Sequence, residues 1–212
     1  MSQAATARPL PQPLSLFPLN LVLFPEAVLV LRIFEPRYLD LVSECLKSGS
    51  TFGVVCLKRG NESTRSASRV AFESVGVAAR IDDVDAEQAG ILRVRCTGLS
   101  RFRLQGPAWQ RDDGLWQSAA EVIADDPKRS PGPAMLQTVK ALGEAIRKLQ
   151  QLEKAPFAEP YRLDDAGWVA NRWCELLPVP LAAKQKLMEL ADPVIRLSIV
   201  DGYLRDKKVV LG

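Results

Sequence analysis

The chain has 212 residues, 47% of them hydrophobic, and a formal net charge of +3 from 28 basic and 25 acidic side chains. That balance is globular: it excludes wholesale disorder, and it is too weakly basic to point to nucleic acid or an anionic membrane as a partner. Histidine is absent, which removes imidazole-based nucleophile pairs, HExxH zinc sites and any side chain that titrates near neutrality unperturbed.

Residues 1–13, rich in Ala, Pro and Gln and without periodicity, read as a disordered arm. They lack the apolar stretch and small-residue cleavage site of a secretory signal. Residues 14–23 and 28–34 are apolar and flanked by proline, a pattern for two strands separated by Phe24-Pro25-Glu26. Pro18, Asn20, Pro25, Glu26 and Arg32 interrupt this region too often for a spanning helix, which needs about 20 apolar residues, so no membrane is expected as a partner. Glu35-Pro36 opens a helix whose stripe is Tyr38, Leu41, Val42 and Cys45, and Gly49 ends it. A strand at 51–57 leads into a polar, exposed loop at 58–68, followed by a strand at 70–84, an acidic turn at 82–90 and a long strand at 91–105. In that last strand Leu92, Val94 and Cys96 share one face, Arg93 and Arg95 take the other, and Phe102 and Leu104 alternate with Arg101 and Arg103. Asp113-Gly114 marks a turn before a final strand at 115–124.

Residues 126–133 (DPKRSPGP) form a boundary, and beyond them the period is helical. Met135, Val139, Leu142, Ile146 and Leu149 make a short heptad seam, suited to packing within a bundle. Further helices are predicted at 164–177, at 180–191, and from the Asp192-Pro193 cap onward. The class is therefore α+β, with a β-rich domain at 14–126 and a helical domain at 127–212. Cys45, Cys56, Cys96 and Cys174 show no CxxC pair and read as buried free thiols of a reducing, cytoplasmic compartment.

Neither GxxxxGK[ST] nor GxGxxG occurs. The acidic groups Asp82, Asp83, Asp85 and Glu87, and Asp112 and Asp113, fall in predicted turns and lack the glycine and closing Glu of an EF-hand, so no metal or cofactor is expected. Arg93, Arg95, Arg101 and Arg103 are the candidate phosphate-binding face. The favoured reading is a solvated sheet face paired with acids, because no aromatics interleave there to stack bases.

Leu16-Phe17-Pro18-Leu19-Asn20, Val22-Leu23-Phe24-Pro25, the block from Leu31-Arg32-Ile33-Phe34 through Glu35-Pro36-Arg37-Tyr38, and Phe52-Gly53-Val54-Val55 together resemble the N-terminal substrate-binding domain of Lon proteases, its stand-alone members above all. Val75-Gly76, Gly98 with Arg101-Phe102, Lys184-Gln185, Leu187-Met188-Glu189 and Arg196-Leu197 extend the resemblance over residues 14–205. Glu26 stands where glycine is common and Val30 where proline is common.

The resemblance implies a PUA-like β pseudo-barrel followed by a helical bundle. It also implies recognition of unfolded or exposed apolar polypeptide, as an adaptor or quality-control factor with a protease or chaperone as a further partner. The ATPase and Ser-Lys protease modules of Lon have no counterpart, so a non-catalytic protein is expected. Phe17, Phe24, Phe34, Glu35, Arg37 and Tyr38 are the polypeptide-binding candidates, with Glu35 and Arg37 open to a second reading as braces of the helix start. RNA binding through Arg93, Arg95, Arg101 and Arg103 is the alternative, by analogy with nucleic-acid readers of PUA-like fold.

Overall fold

The computed structural model describes residues 9–59, 70–152 and 157–210. The predicted polar loop lies outside them from residue 60 onward, as do the first eight residues of the predicted arm. The chain divides into two units, Met1–Asp125 and Asp126–Gly212.

In the first unit, β1 (Leu14–Leu19), β2 (Val28–Ile33), β3 (Phe52–Arg59), β4 (Ala71–Phe72), β5 (Val75–Gln88), β6 (Ile91–Leu104), β7 (Trp109–Gln110), β8 (Trp116–Ser118) and β9 (Ala120–Val122) form one sheet. Its order is β2-β6-β5-β3-β1-β8-β7, with β4 beside β3 and β9 beside β6. The sheet is mixed, because β1 runs parallel to β3 while the remaining pairs are antiparallel.

Two glycines set how tightly the central strands approach. A Cβ at Gly53 or at Gly76 would lie 2.7 Å from Cζ of Phe102, and at Gly76 it would also meet the Val54 carbonyl oxygen. The Phe102 ring is fully buried in that space, among Leu14, Leu16, Val55, Ala78, Trp116 and Ala120.

At the start of β2 the chain turns through Pro25 and Glu26, and the Ala27 N–H donates to the Phe24 carbonyl at 3.1 Å. Glu26 has φ 63°, the left-handed conformation that glycine adopts without cost. The Glu26 N–H donates to the Gly98 carbonyl at 2.8 Å while the Gly98 N–H donates to the Ala27 carbonyl at 2.9 Å. This bulge fixes the register of β2 on β6. α1 (Pro36–Ser48) follows, begun by Pro36 at its first turn and ended by Gly49 at φ 66°, and it buries Arg37, Tyr38, Leu41, Val42 and Cys45.

Four predicted elements need correction. The acidic turn is strand: β5 continues to Gln88, and Asp83 and Asp85 lie opposite Arg95 and Arg93 on β6. The predicted strands at 70–84 and 115–124 are each interrupted, giving β4 and β5, and β8 and β9. The arm does not extend to residue 13, because Leu10 packs on the core and the Gln12 side chain donates to the Ala120 carbonyl at 2.5 Å.

The second unit begins with a 3-10 turn (Pro133–Met135) leading into α2 (Leu136–Gln151), then α3 (Ala166–Leu176), α4 (Leu181–Glu189) and α5 (Pro193–Asp206). The side chains of Asp165 and Asp192 cap α3 and α5 by accepting backbone N–H bonds. Leu142 and Ile146 of the predicted seam are buried, whereas α3 is buried on nearly every side from Ala166 to Cys174. Arg196 is 1% exposed. It donates to Asp126 at 2.6 and 3.3 Å, to the Asn171 amide oxygen at 3.0 Å, to the Leu187 carbonyl at 2.8 Å and to the Leu190 carbonyl. A buried guanidinium is tolerated when its donors are matched in this way.

Arg172 is paired with Glu175 and lies over the rings of Phe157 and Trp168, at 5.5 and 5.6 Å. Burial pushes the Glu175 carboxyl up to about 7, against the opposing pull of Arg172 and Lys184.

Two predictions follow from this packing. Gly76→Ala should destabilise by about 3 kcal/mol through overpacking, whereas Gly202→Ala should add about 1 kcal/mol, since Gly202 is inside α5 with nothing within 4 Å of its would-be Cβ. Unfolding midpoints check this, and equal tolerance of the two changes would contradict it.

The second concerns pH. A folded-state pKa above the unfolded value of 4.5 means that the native state holds the Glu175 proton more tightly. The associated stability is present in full below about pH 4.5, falls as pH rises, and is gone above about 7. Glu175→Gln should remove this slope, worth up to about 3 kcal/mol, from plots of unfolding free energy against pH. Identical slopes in the two proteins would refute the assignment.

Candidate functional site

β4 and β7 are two residues long. Among the described residues, strands this short leave the outer layer of the first unit's core partly exposed beside β8. Val70, Phe72, Leu104 and Ala108 pack against the buried cluster that holds Phe102 and Trp116, yet remain partly exposed. Together with Trp109, Gln110 and Trp116 they line a groove of about 620 Å³, a size suited to a few side chains. The rings of Phe72 and Trp116 meet edge to face at 5.4 Å. Trp109, one of the lining residues, is 46% exposed.

Ala71, Ser74 and Gly106 complete the lining, and among the described residues no charged side chain contributes to it. Such a surface gains free energy by burying apolar side chains, about 1.5–3 kcal/mol each. Its described lining holds no carboxylate, amine or thiol, and its one hydroxyl is that of Ser74. In the second unit a cavity of about 500 Å³ beside α2 is different in kind, being lined by Lys140, Glu144 and Arg147 as well as Val139, Tyr161 and Leu163.

The polypeptide-binding candidates read from sequence lie elsewhere. Phe17 and Tyr38 are buried and stack at 3.9 Å, and Phe24 is fully buried. These three belong to the core. Arg37 is buried too, bridging Glu35 at 2.9 Å, donating to the Gly114 carbonyl at 3.0 Å and lying over the Tyr38 ring at 4.7 Å. Glu35 and Arg37 are thus engaged with each other at the start of α1, and Arg37 also ties it to Gly114. Phe34 differs: it is 59% exposed.

The four-arginine face is also broken. Arg93, Arg95 and Arg103 are exposed, but Arg101 is 3% exposed and donates to the Ala124 carbonyl at 3.3 Å. Asp85, Asp83 and Glu121 lie opposite Arg93, Arg95 and Arg103 across the ladder, so the positive stripe needed to follow phosphates is interrupted.

The cysteines are free and buried. Burial raises the thiols of Cys45 and Cys56, and pushes those of Cys96 and Cys174 up to about 12, which keeps the last two protonated and unreactive near neutral pH. Among the described residues no group of three or more Cys, Asp or Glu side chains is placed to hold a metal ion, and no helix is long and apolar enough to cross a membrane.

Comparison with known proteins places this geometry. The model of the ATP-dependent protease La (LON) substrate-binding domain matches residues 13–206. The chain is 25% identical over 181 residues to a Lon protease of Cytophaga hutchinsonii, covering 84% of this chain and 22% of that protein. It is 26% identical over 212 residues to Lon protease 2 of Myxococcus xanthus, covering 95% of this chain and 24% of the relative. The chain thus spans about a quarter of the length of these relatives. Among solved structures, a Lon N-terminal domain protein from Xanthomonas campestris is 32% identical with a TM-score of 0.72, over 90% of this chain and 97% of the other. The N-terminal domain of Mycobacterium avium complex Lon protease shares the fold at 16% identity and a TM-score of 0.62, over 91% and 98% of the two chains.

Proposed function

The chain belongs to the ATP-dependent protease La (LON) substrate-binding domain family, and on that premise we propose that it is a non-catalytic module that binds unfolded or exposed apolar polypeptide. The observation that carries the reading is the groove bounded by Phe72, Trp109 and Trp116, which has aromatic walls and, among the described residues, no charged lining. Unfolded chains expose the apolar side chains that such a groove accepts, and folded ones hide them.

In this reading the protein acts as an adaptor or quality-control factor that presents clients to a protease or chaperone. The four buried free thiols suit a reducing cytoplasm. In the same reading the β-rich unit is a PUA-like pseudo-barrel and the helical unit a bundle, two domains that divide between Asp125 and Asp126.

Titration of a reduced, alkylated lactalbumin and of its native form tests the proposal. The unfolded form should bind, the native form should not, and the affinity should change little between low and high salt. Trp109→Ala should weaken binding about ten-fold, equivalent to about 1.4 kcal/mol, with the unfolding midpoint unchanged. Preference for an RNA oligonucleotide, with affinity falling about 0.7 log units per log unit of salt for each phosphate neutralised, would overturn the proposal.

A further inference from the structure

β2 ends the sheet on the side opposite to β7 and pairs with β6 alone. The Gly98 N–H bond to the Ala27 carbonyl sets the phase of that ladder. In an antiparallel pair, hydrogen-bonded residues alternate with residues whose N–H and C=O point away. Leu29, Leu31 and Ile33 therefore bond to β6, and Val28, Val30 and Arg32 direct their N–H and C=O groups outward. No backbone hydrogen bond to these three outward-facing pairs occurs among the described residues.

The same strand sends Leu29, Leu31 and Ile33 into the core, so its pleat and register are held from behind. Its outer face carries Val30, 48% exposed, and Arg32, and is continued by the exposed Phe34. An exposed edge of this length is a template for another strand unless something blocks it. Within β2 there is no proline and a single charge, on Arg32, whose guanidinium is turned to Glu87 on β5 at 2.9 Å.

We propose that the free edge of β2 receives an extended segment of the client polypeptide as an added strand, a mode that rests on the polypeptide-binding reading above. Main-chain pairing with Val28, Val30 and Arg32 supplies affinity that tolerates many client sequences, and the exposed Val30 and Phe34 favour apolar client side chains on the outer face. The charge on that side of the sheet sets a further preference. Arg32 on β2 and Arg93 and Arg95 on β6 stand nearer the edge than Asp83, Asp85 and Glu87 on β5, so neutral or acidic client residues fit beside Arg32 and lysine-rich segments do not. A long unfolded chain can engage this edge and the aromatic groove at once, which strengthens binding without further contacts.

Val30→Pro is the direct test, because the Val30 N–H points away from β6 and proline there removes no bond of the sheet. With the reduced, alkylated lactalbumin as probe, Val30→Pro should keep its unfolding midpoint and bind about ten-fold more weakly than wild type. Amide exchange at Val28, Val30 and Arg32, followed by NMR on the wild-type chain, should slow at least about ten-fold when the probe is saturating. It should slow in Trp109→Ala as well. If Val30→Pro fails to fold, exchange in the wild type decides the matter.

Binding of the probe without protection of these three amides would overturn the edge proposal and leave the polypeptide reading standing. Failure of the wild type to bind the probe at all would overturn both. Protection that appears with rising protein concentration in the absence of probe, together with a dimer in sedimentation, would assign the edge to a second copy of the chain and overturn the client proposal.

Discussion

The Phe102 ring fills the space that side chains on two other strands would need. Gly53 on β3 and Gly76 on β5 have no Cβ, and the ring of Phe102 from β6 lies where those atoms would stand. The three strands are thereby held at one separation, and Leu14, Leu16, Val55, Ala78, Trp116 and Ala120 close around the ring. The outer layer of this cluster, Phe72 and Leu104 with Trp116 behind them, is also the wall of the groove. Core and candidate site are two sides of one packing arrangement. A change that loosens the ring must reach the groove through shared contacts, because close-packed interiors transmit small displacements.

The helical unit rests on a polar centre of a different kind. Arg196 of α5 donates to Asp126 where the unit begins, to Asn171 of α3, and to carbonyls at Leu187 and Leu190 at the end of α4. One guanidinium fixes four segments in their relative positions, its donors matched by carboxylate, amide and carbonyl oxygens. Thr138 of α2 is joined in the same way to Asp201 of α5, and its carbonyl accepts the Trp173 indole N–H at 3.1 Å. The amphipathic stripes bring the helices together, and these polar contacts select their register.

Much of this was legible in the sequence where a local rule and a periodic pattern agree. Pro36 and Gly49 bound α1, and the stripe from Tyr38 to Cys45 is its buried face. Asp192-Pro193 caps α5 as such a pair should. The far end of β5 was not legible, because Asp82, Asp83 and Asp85 favour turns and are tolerated there as a strand only by being solvated and facing the arginines and Thr97 of β6. The site was harder still. Phe17, Phe24 and Tyr38 stand out in the most recognisable motifs because they build the core. Trp109 and Trp116 sit in strands of two and three residues, too short to carry a period. The burial of Arg101 depends on the Ala124 carbonyl, 23 residues away in the chain. Such facts belong to tertiary structure, and no local pattern encodes them.

That the apolar groove beside Trp116 is where unfolded polypeptide binds is the central claim. Trp109 and Trp116 are in the β-rich unit, and Trp168 and Trp173 are in the helical unit. The most direct measurement is fluorine NMR of the chain labelled with 5-fluorotryptophan, the four signals assigned by substitution, during titration with an unfolded polypeptide. The account predicts that the Trp109 and Trp116 signals shift together and saturate with binding, while those of Trp168 and Trp173 stay in place. Saturable binding that moves the Trp168 or Trp173 signals and leaves Trp109 and Trp116 unchanged would contradict it.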